Sequence, residues 1–206
     1  MTKKILTITL MSALFVLAIA CNRAPVEEGS CCKSEAAAAA EPLQISDQSL
    51  YLLNSAWETQ NSEVKQLEAY KGKIVVASMF FSHCASACPR ITADMKNIED
   101  GLSPEEREKV QFLLITMDVK RDTPVQMKKY AENHRLGNRW ELVRSNDAAT
   151  MELANVLGVR IQPLEEGGFD HSNIIHILNP QGEIVYQQTG LNVNPEQSLL
   201  EIRKML

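Results

Sequence analysis

Two cysteines four residues apart, Cys84 and Cys88, stand between an almost unbroken apolar run and an amphipathic pattern closed by glycine. No other feature constrains the fold as strongly. Lys73–Phe80 is β-rich and apolar on both faces, as expected of a central strand covered on two sides. Pro89, directly after Cys88, suits the first position of a helix, where no backbone N–H is needed. Ile91, Met95 and Ile98 follow at i, i+4 and i+7, and Gly101 stops the pattern. The spacing predicts a strand over 73–80, a loop carrying both thiols and a helix over 89–100. Thiols so placed can converge on one metal ion or on each other. The helix start also predicts a lowered pKa for Cys88, since free N–H groups and the positive end of the helix dipole stabilise a thiolate.

The first 42 residues have a different character. Lys3 and Lys4 precede an apolar or small-residue run over 5–20, and Ala18 and Ala20 lead into Cys21. This is an export signal, and the cysteine sharpens it to a lipoprotein signal over 1–20, with cleavage before Cys21 and lipidation of its sulfur. The run falls short of the roughly 20 apolar residues of a membrane span, and it carries Thr7, Thr9 and Ser12. Residues 21–42, rich in Ala, Glu, Ser and Gly, have little to pack and are expected to be a flexible tether. Within it Cys31 and Cys32 are adjacent and poorly placed to bond each other. They are either incidental or open to copper or a partner thiol. The expected localisation is exported and membrane-anchored through the lipid, facing the periplasm or cell exterior. With 21 basic against 26 acidic residues and no basic cluster, nucleic acid is excluded as an expected partner.

A single folded domain is expected over 43–206. Ser103-Pro104-Glu105-Glu106 is a capping box with proline at the first helical position, and Val110–Met117 is the next buried strand. Thr123-Pro124 starts a helix to about Asn133, and Trp140–Val143 is a brief strand. Asn146 or Asp147 caps a helix with apolar positions Met151, Leu153, Ala154 and Leu157, closed by Gly158. Asn173–Leu178 and Glu183–Gln187 flank the turn Asn179-Pro180-Gln181-Gly182 and form a hairpin. A last amphipathic helix runs over 195–205. This order is an α/β, thioredoxin-like arrangement, a central mixed sheet flanked by helices. In that topology the chain returns beside the cysteine loop where the hairpin begins, which brings His171 toward the two sulfurs.

The joint pattern Cys84-x-x-x-Cys88-Pro89, Arg121-Asp122-Thr123-Pro124 and Asp170-His171-Ser172, before a strand ending in Asn179-Pro180-x-Gly182, resembles the Sco/SenC family of copper proteins. The likeness runs from about Gly72 to Tyr186, with Asp118-Val119 standing where the family usually has Asp-Pro. It implies a membrane-attached thioredoxin-like domain that holds one copper, as Cu(I) or Cu(II), through Cys84, Cys88 and His171. The implied function is a metallochaperone for the copper centre of cytochrome oxidase, whose partner is the copper-accepting oxidase subunit. Two thiolates and an imidazole suit soft Cu(I) and are accepted by Cu(II), whereas structural zinc wants a fourth ligand that no closely spaced residue supplies.

Alternatives stay open. Cys84 and Cys88 can instead serve as a redox-active disulfide in a thiol-disulfide oxidoreductase with a redox partner, in which case metal loading and disulfide formation exclude each other. A purely structural disulfide is the remaining alternative, and it is disfavoured because such bridges rarely sit beside a proline-started helix at this position of the fold. Phe81 stands where a peroxidase of the peroxiredoxin type wants Thr or Ser. His83 offers a second imidazole beside the site. His176 reads as a sheet residue, His134 as solvated, and Met95, Met127 and Met151 as core filler, with Met79 close to the cysteine loop. Asp118 and Asp122 are expected to orient the loop.

Overall fold

The computed structural model describes residues 43–165 and 167–206. The expected signal, the tether, Cys21, Cys31 and Cys32 lie outside the described residues. Nine strands are described, β1 (Trp57–Thr59), β2 (Val64–Lys65), β3 (Ile74–Phe80), β4 (Val110–Thr116), β5 (Trp140–Arg144), β6 (Ile161–Pro163), β7 (Phe169–His171), β8 (Ile174–Leu178) and β9 (Ile184–Thr189). Five α-helices accompany them, α1 (Ala87–Asp100), α2 (Pro104–Glu108), α3 (Pro124–Asn133), α4 (Asp147–Leu157) and α5 (Glu196–Arg203), with two short 3-10 turns at Leu50–Leu52 and Leu67–Tyr70. Seven strands form one mixed sheet in the order β2-β1-β5-β4-β3-β8-β9, and β6 and β7 form a separate pair. The strands β3, β4 and β5 are parallel, while β8 runs antiparallel to β3. This is a thioredoxin-like sheet. Among the described residues no helix is long and apolar enough to cross a membrane.

Apolar continuity decides the centre. Every residue of β3 and β4 is buried, as strands covered on both faces require. Helix α1 lays Ile91, Met95 and Ile98, all without solvent exposure, against this sheet, and each such side chain contributes about 1.5–3 kcal/mol on burial. The Ser103 capping box forms as read: the Glu106 N–H donates to Ser103 Oγ at 3.2 Å and the Ser103 N–H to Glu106 Oε2 at 2.8 Å. Asn146 caps α4, and Gly158 ends it in the left-handed conformation.

The helical periodicity misassigned one residue. Met151 is 43% exposed, because the buried face of α4 is Ala149, Leu153, Ala154 and Leu157. A position two residues from both Ala149 and Leu153 lies about 200° around the helix and faces solvent. Met79, Met95 and Met127 are buried in the core.

The sheet's far end, away from the cysteines, is closed tightly. Gly182 adopts φ +83° in the β8–β9 turn, and a Cβ there would meet the Tyr51 ring at 2.7 Å. The Leu50 N–H donates to the Gly182 carbonyl at 2.9 Å, which ties the segment before β1 across the hairpin.

Candidate metal centre

The loop between β3 and α1 sits at the carboxyl end of the central strands, pinned from below by a buried carboxylate. Asp122, with no solvent exposure, accepts from the Ser82 N–H at 3.1 Å and from the hydroxyls of Ser82 and Thr116. The expectation that this aspartate orients the loop agrees with these contacts. Asp118 accepts from the Arg121 guanidinium. His83, Asp118 and Asp122 bring potential ligand atoms within 4.8 Å of one another, but both carboxylates are already engaged by these donors.

Helix α1 begins at Ala87, two residues earlier than the proline suggested, so Cys88 lies inside its first turn. Ser86 provides no side-chain cap. The helix start is instead satisfied in part by sulfur: the Cys88 N–H donates to Cys84 Sγ at 3.3 Å. This reverses the expected assignment of the reactive thiol. The Cys84 thiol is held down at about 5, first by a hydrogen bond from the Cys88 thiol and then, against partial burial, by the N–H groups of Cys88, Ser86 and Ala87. The Cys88 thiol is pushed well above the ordinary range by the same thiol–thiol hydrogen bond and by burial. Side chains in a helix point back toward its N-terminus. Cys88 Sγ is accordingly turned into the core, where it accepts from the Phe81 N–H at 3.4 Å, and Cys84 Sγ takes the helix's free donors. Both cysteines are free thiols.

The imidazole arrives from the other side. Strand β7 pairs with β6 in the register Ile161↔His171 and Pro163↔Phe169. The connecting turn needs Gly167 and Gly168, both at positive φ (+84° and +93°). His171, 7% exposed, places Nε2 3.8 Å from Cys88 Sγ, while its Nδ1 lies 3.1 Å from the Ser172 carbonyl. A carbonyl oxygen only accepts, so Nδ1 carries the proton and the Nε2 lone pair faces the sulfur.

A cleft of about 360 Å³ opens between the two halves, lined by Cys84, His83, His171, Arg121, Phe81 and Phe169 among others. The structure thus sets Cys88 against both Cys84 and His171, with His83 on the same cleft, although the ligand atoms of Cys84, Cys88 and His171 do not all lie within 4.8 Å of one another. It does not bring His176 or His134 there. His176 is fully buried in the sheet with Nδ1 3.1 Å from Gln187 Nε2, and His134 packs on the Tyr130 ring with centroids 4.2 Å apart. The residues not anticipated are Phe81 and Phe169, whose rings meet edge-on at 5.4 Å across the cleft. The paired glycines before Phe169 were the signal for that turn.

Fold and cleft together define a thioredoxin-like dithiol protein in which an imidazole is set against the buried thiol. The SCO1/SenC family model matches residues 52–206. The chain belongs to the SCO1/SenC family. It is 24% identical over 148 residues, 70% of its length and 76% of the relative's, to the SCO1 protein homolog of Bacillus subtilis (strain 168). Its fold is similar to that of Bradyrhizobium japonicum ScoI with copper bound, with a TM-score of 0.59 and 22% identity over 74% of this chain and 97% of that one. It is also similar to BsSco, a member of the Sco family of cytochrome c oxidase assembly proteins in which a disulfide switch was identified, with a TM-score of 0.65 and 22% identity over 79% and 98% of the two chains.

Proposed function

We propose that this protein binds copper through Cys84, Cys88 and His171 and delivers it to the copper-accepting subunit of a cytochrome oxidase, working as an exported protein tethered through a lipid on Cys21. The observation that carries the reading is the approach of His171 Nε2 to Cys88 Sγ at 3.8 Å, with the lone pair turned to the sulfur. Two sulfurs and one imidazole form a soft, three-donor set of the kind copper accepts. The Cys84 thiol, held down at about 5, is a thiolate at neutral pH and ready as a ligand. A cleft open to solvent lets an acceptor's thiolates enter and take the ion by stepwise exchange. The copper-bound ScoI structure and the oxidase-assembly role given for BsSco support the same reading.

The contrast between a half-buried, acidic Cys84 thiol and a buried, protonated Cys88 favours a second reading, thiol-disulfide exchange. There the Cys84 thiolate attacks a partner disulfide, and Cys88 then displaces the partner's thiol, so that two electrons pass to the partner and Cys84–Cys88 becomes a disulfide. One experiment separates the two. Reduced full-length chain is titrated with Cu(I), bound copper is counted, and disulfide-substrate turnover is measured in parallel. The copper reading expects about one ion per chain, sharply reduced by Cys84→Ala, Cys88→Ala or His171→Ala, as befits a three-donor site. A chain that holds no copper yet reduces disulfides belongs to the second reading.

A further inference from the structure

The cleft contains a second imidazole that the ligand set above leaves unused. His83 lies between Ser82 and Cys84, lines the same cleft as Cys84 and His171, and has 43% of its side chain exposed. Its ring is oriented from beneath. Buried Asp122 accepts from the Ser82 hydroxyl, which leaves that oxygen's lone pairs to accept from His83 Nδ1, 3.1 Å away. Asp122 Oδ1 itself lies 3.8 Å from Nδ1. With acceptors on that side, Nδ1 is the donor, and the neutral tautomer that suits these contacts has its lone pair on Nε2. His171 is set in the same sense, Nδ1 to a carbonyl and Nε2 to a sulfur. An acceptor behind Nδ1, carboxylate or carbonyl, is the support that orients metal-ligating imidazoles. The cleft therefore holds two imidazoles built alike, one buried against Cys88 and one exposed on the residue before Cys84.

We propose that His83 is a transient copper ligand: with Cys84 it receives the ion at the mouth of the cleft, passes it inward to Cys88 and His171, and takes it back on release. This rests on the copper-binding reading above. Cys84 belongs to both the outer pair and the inner set, so the ion changes one ligand at a time without leaving that thiolate. As the His83 Nε2–copper bond breaks, the Cys88 Sγ–copper bond forms and the Cys88 proton goes to water, and His171 Nε2 then adds to the ion as its third ligand. No electron moves, and release runs the same exchange backwards.

The test uses full-length chain loaded with Cu(I) and mixed rapidly with excess bicinchoninate, a chelator whose Cu(I) complex is coloured. His83→Ala, and His83→Gln as a second variant, are expected to hold as much copper at equilibrium as the parent and to release it roughly tenfold more slowly, the equivalent of about 1.4 kcal/mol on the exchange barrier. Ser82→Ala, which frees the ring but leaves it in place, should slow release less. Independently, titrating Cys88→Ala with Ag(I), a diamagnetic stand-in for Cu(I), should shift the ring-nitrogen resonance of His83 Nε2. Parental release rates in copper-replete His83→Ala overturn this proposal alone, as does a His83 Nε2 resonance that Ag(I) leaves unmoved. Loss of bound copper in His83→Ala with full retention in His171→Ala also overturns it, by making His83 the resident ligand. A parent chain that binds no copper overturns the copper reading and this proposal with it.

Discussion

The two halves of the cleft are built to different standards of rigidity. The dithiol half grows directly from the central sheet: β3 is buried along its whole length, the Met117 N–H donates to the Phe80 carbonyl at 2.9 Å, and buried Asp122 gathers donors from Ser82 and Thr116. The imidazole half rides on two three-residue strands closed by a glycine turn, steadied by an exposed Arg160–Asp170 pair at 3.5 Å and by Phe169 against Phe81. Exposed pairs of that kind contribute about 0–1 kcal/mol. The comparison teaches that the sulfurs are positioned by the fold, whereas the nitrogen is positioned by a local hairpin. In the proposed function, a firm pair of sulfurs with a lightly held third donor is a site that can bind an ion and still give it up.

The largest contrast lies between the two thiols. With Cys84 held down at about 5 and Cys88 pushed up, iodoacetamide at pH 6 is expected to label Cys84 and leave Cys88 untouched, and the Cys84 labelling rate should reach half its maximum near pH 5. Mass spectrometry of the labelled peptide reads both. Because the Cys88 thiol is the first cause, Cys88→Ala should move that midpoint upward, and equal labelling of the two cysteines would erase the contrast.

Next in size is the anchor of the rigid half. Asp122→Ala strips the half-buried Ser82 and buried Thr116 donors of their acceptor, a loss of about 3 kcal/mol in urea unfolding. A change below about 0.5 kcal/mol, the level of an ordinary surface substitution, would remove the carboxylate from the account.

Behind both halves, β8 carries His176, whose pKa burial lowers to about 4. An unfolded chain protonates this imidazole near 6.5 and the folded one resists, so its contribution to stability is full above 6.5 and drains away as the pH falls toward 4. Between pH 7 and pH 5 that costs about 2 kcal/mol. His176→Gln should flatten this part of the stability profile, and an unchanged slope would assign it to other groups.

The smallest effect tests the light half. Phe169→Ala removes the edge-on contact with Phe81, worth about 1 kcal/mol. Amide exchange over 161–171 should accelerate roughly fivefold, the equivalent of that energy, while β3 keeps its protection. Equal acceleration in both segments would show that the halves open together.

What the sequence disclosed follows the same division. The thiol loop was legible because a continuous apolar strand, a proline and an i, i+4, i+7 stripe each pointed to the same junction. The strands β1, β2, β6 and β7, two or three residues each, are too short to show a period, and β6 and β7 are the pair that holds His171. Its approach to Cys88 was therefore legible only through the assumed topology. The choice of acidic thiol came out reversed for a geometric reason. Proximity to a helix start was read from position, but the direction of each sulfur decides which one the free N–H groups reach. Met151 failed similarly, since its apolar character was plain and its side of α4 was not. Phe81 and Phe169 carry no pattern that links them across the cleft.

The most direct test is ligand counting on copper-loaded, full-length protein by X-ray absorption, on the parent and on His171→Ala. Two sulfurs and one imidazole nitrogen about the copper are expected in the parent, with the nitrogen lost in the variant. An unchanged imidazole signal in His171→Ala, or a parent spectrum without sulfur, would contradict the site described here.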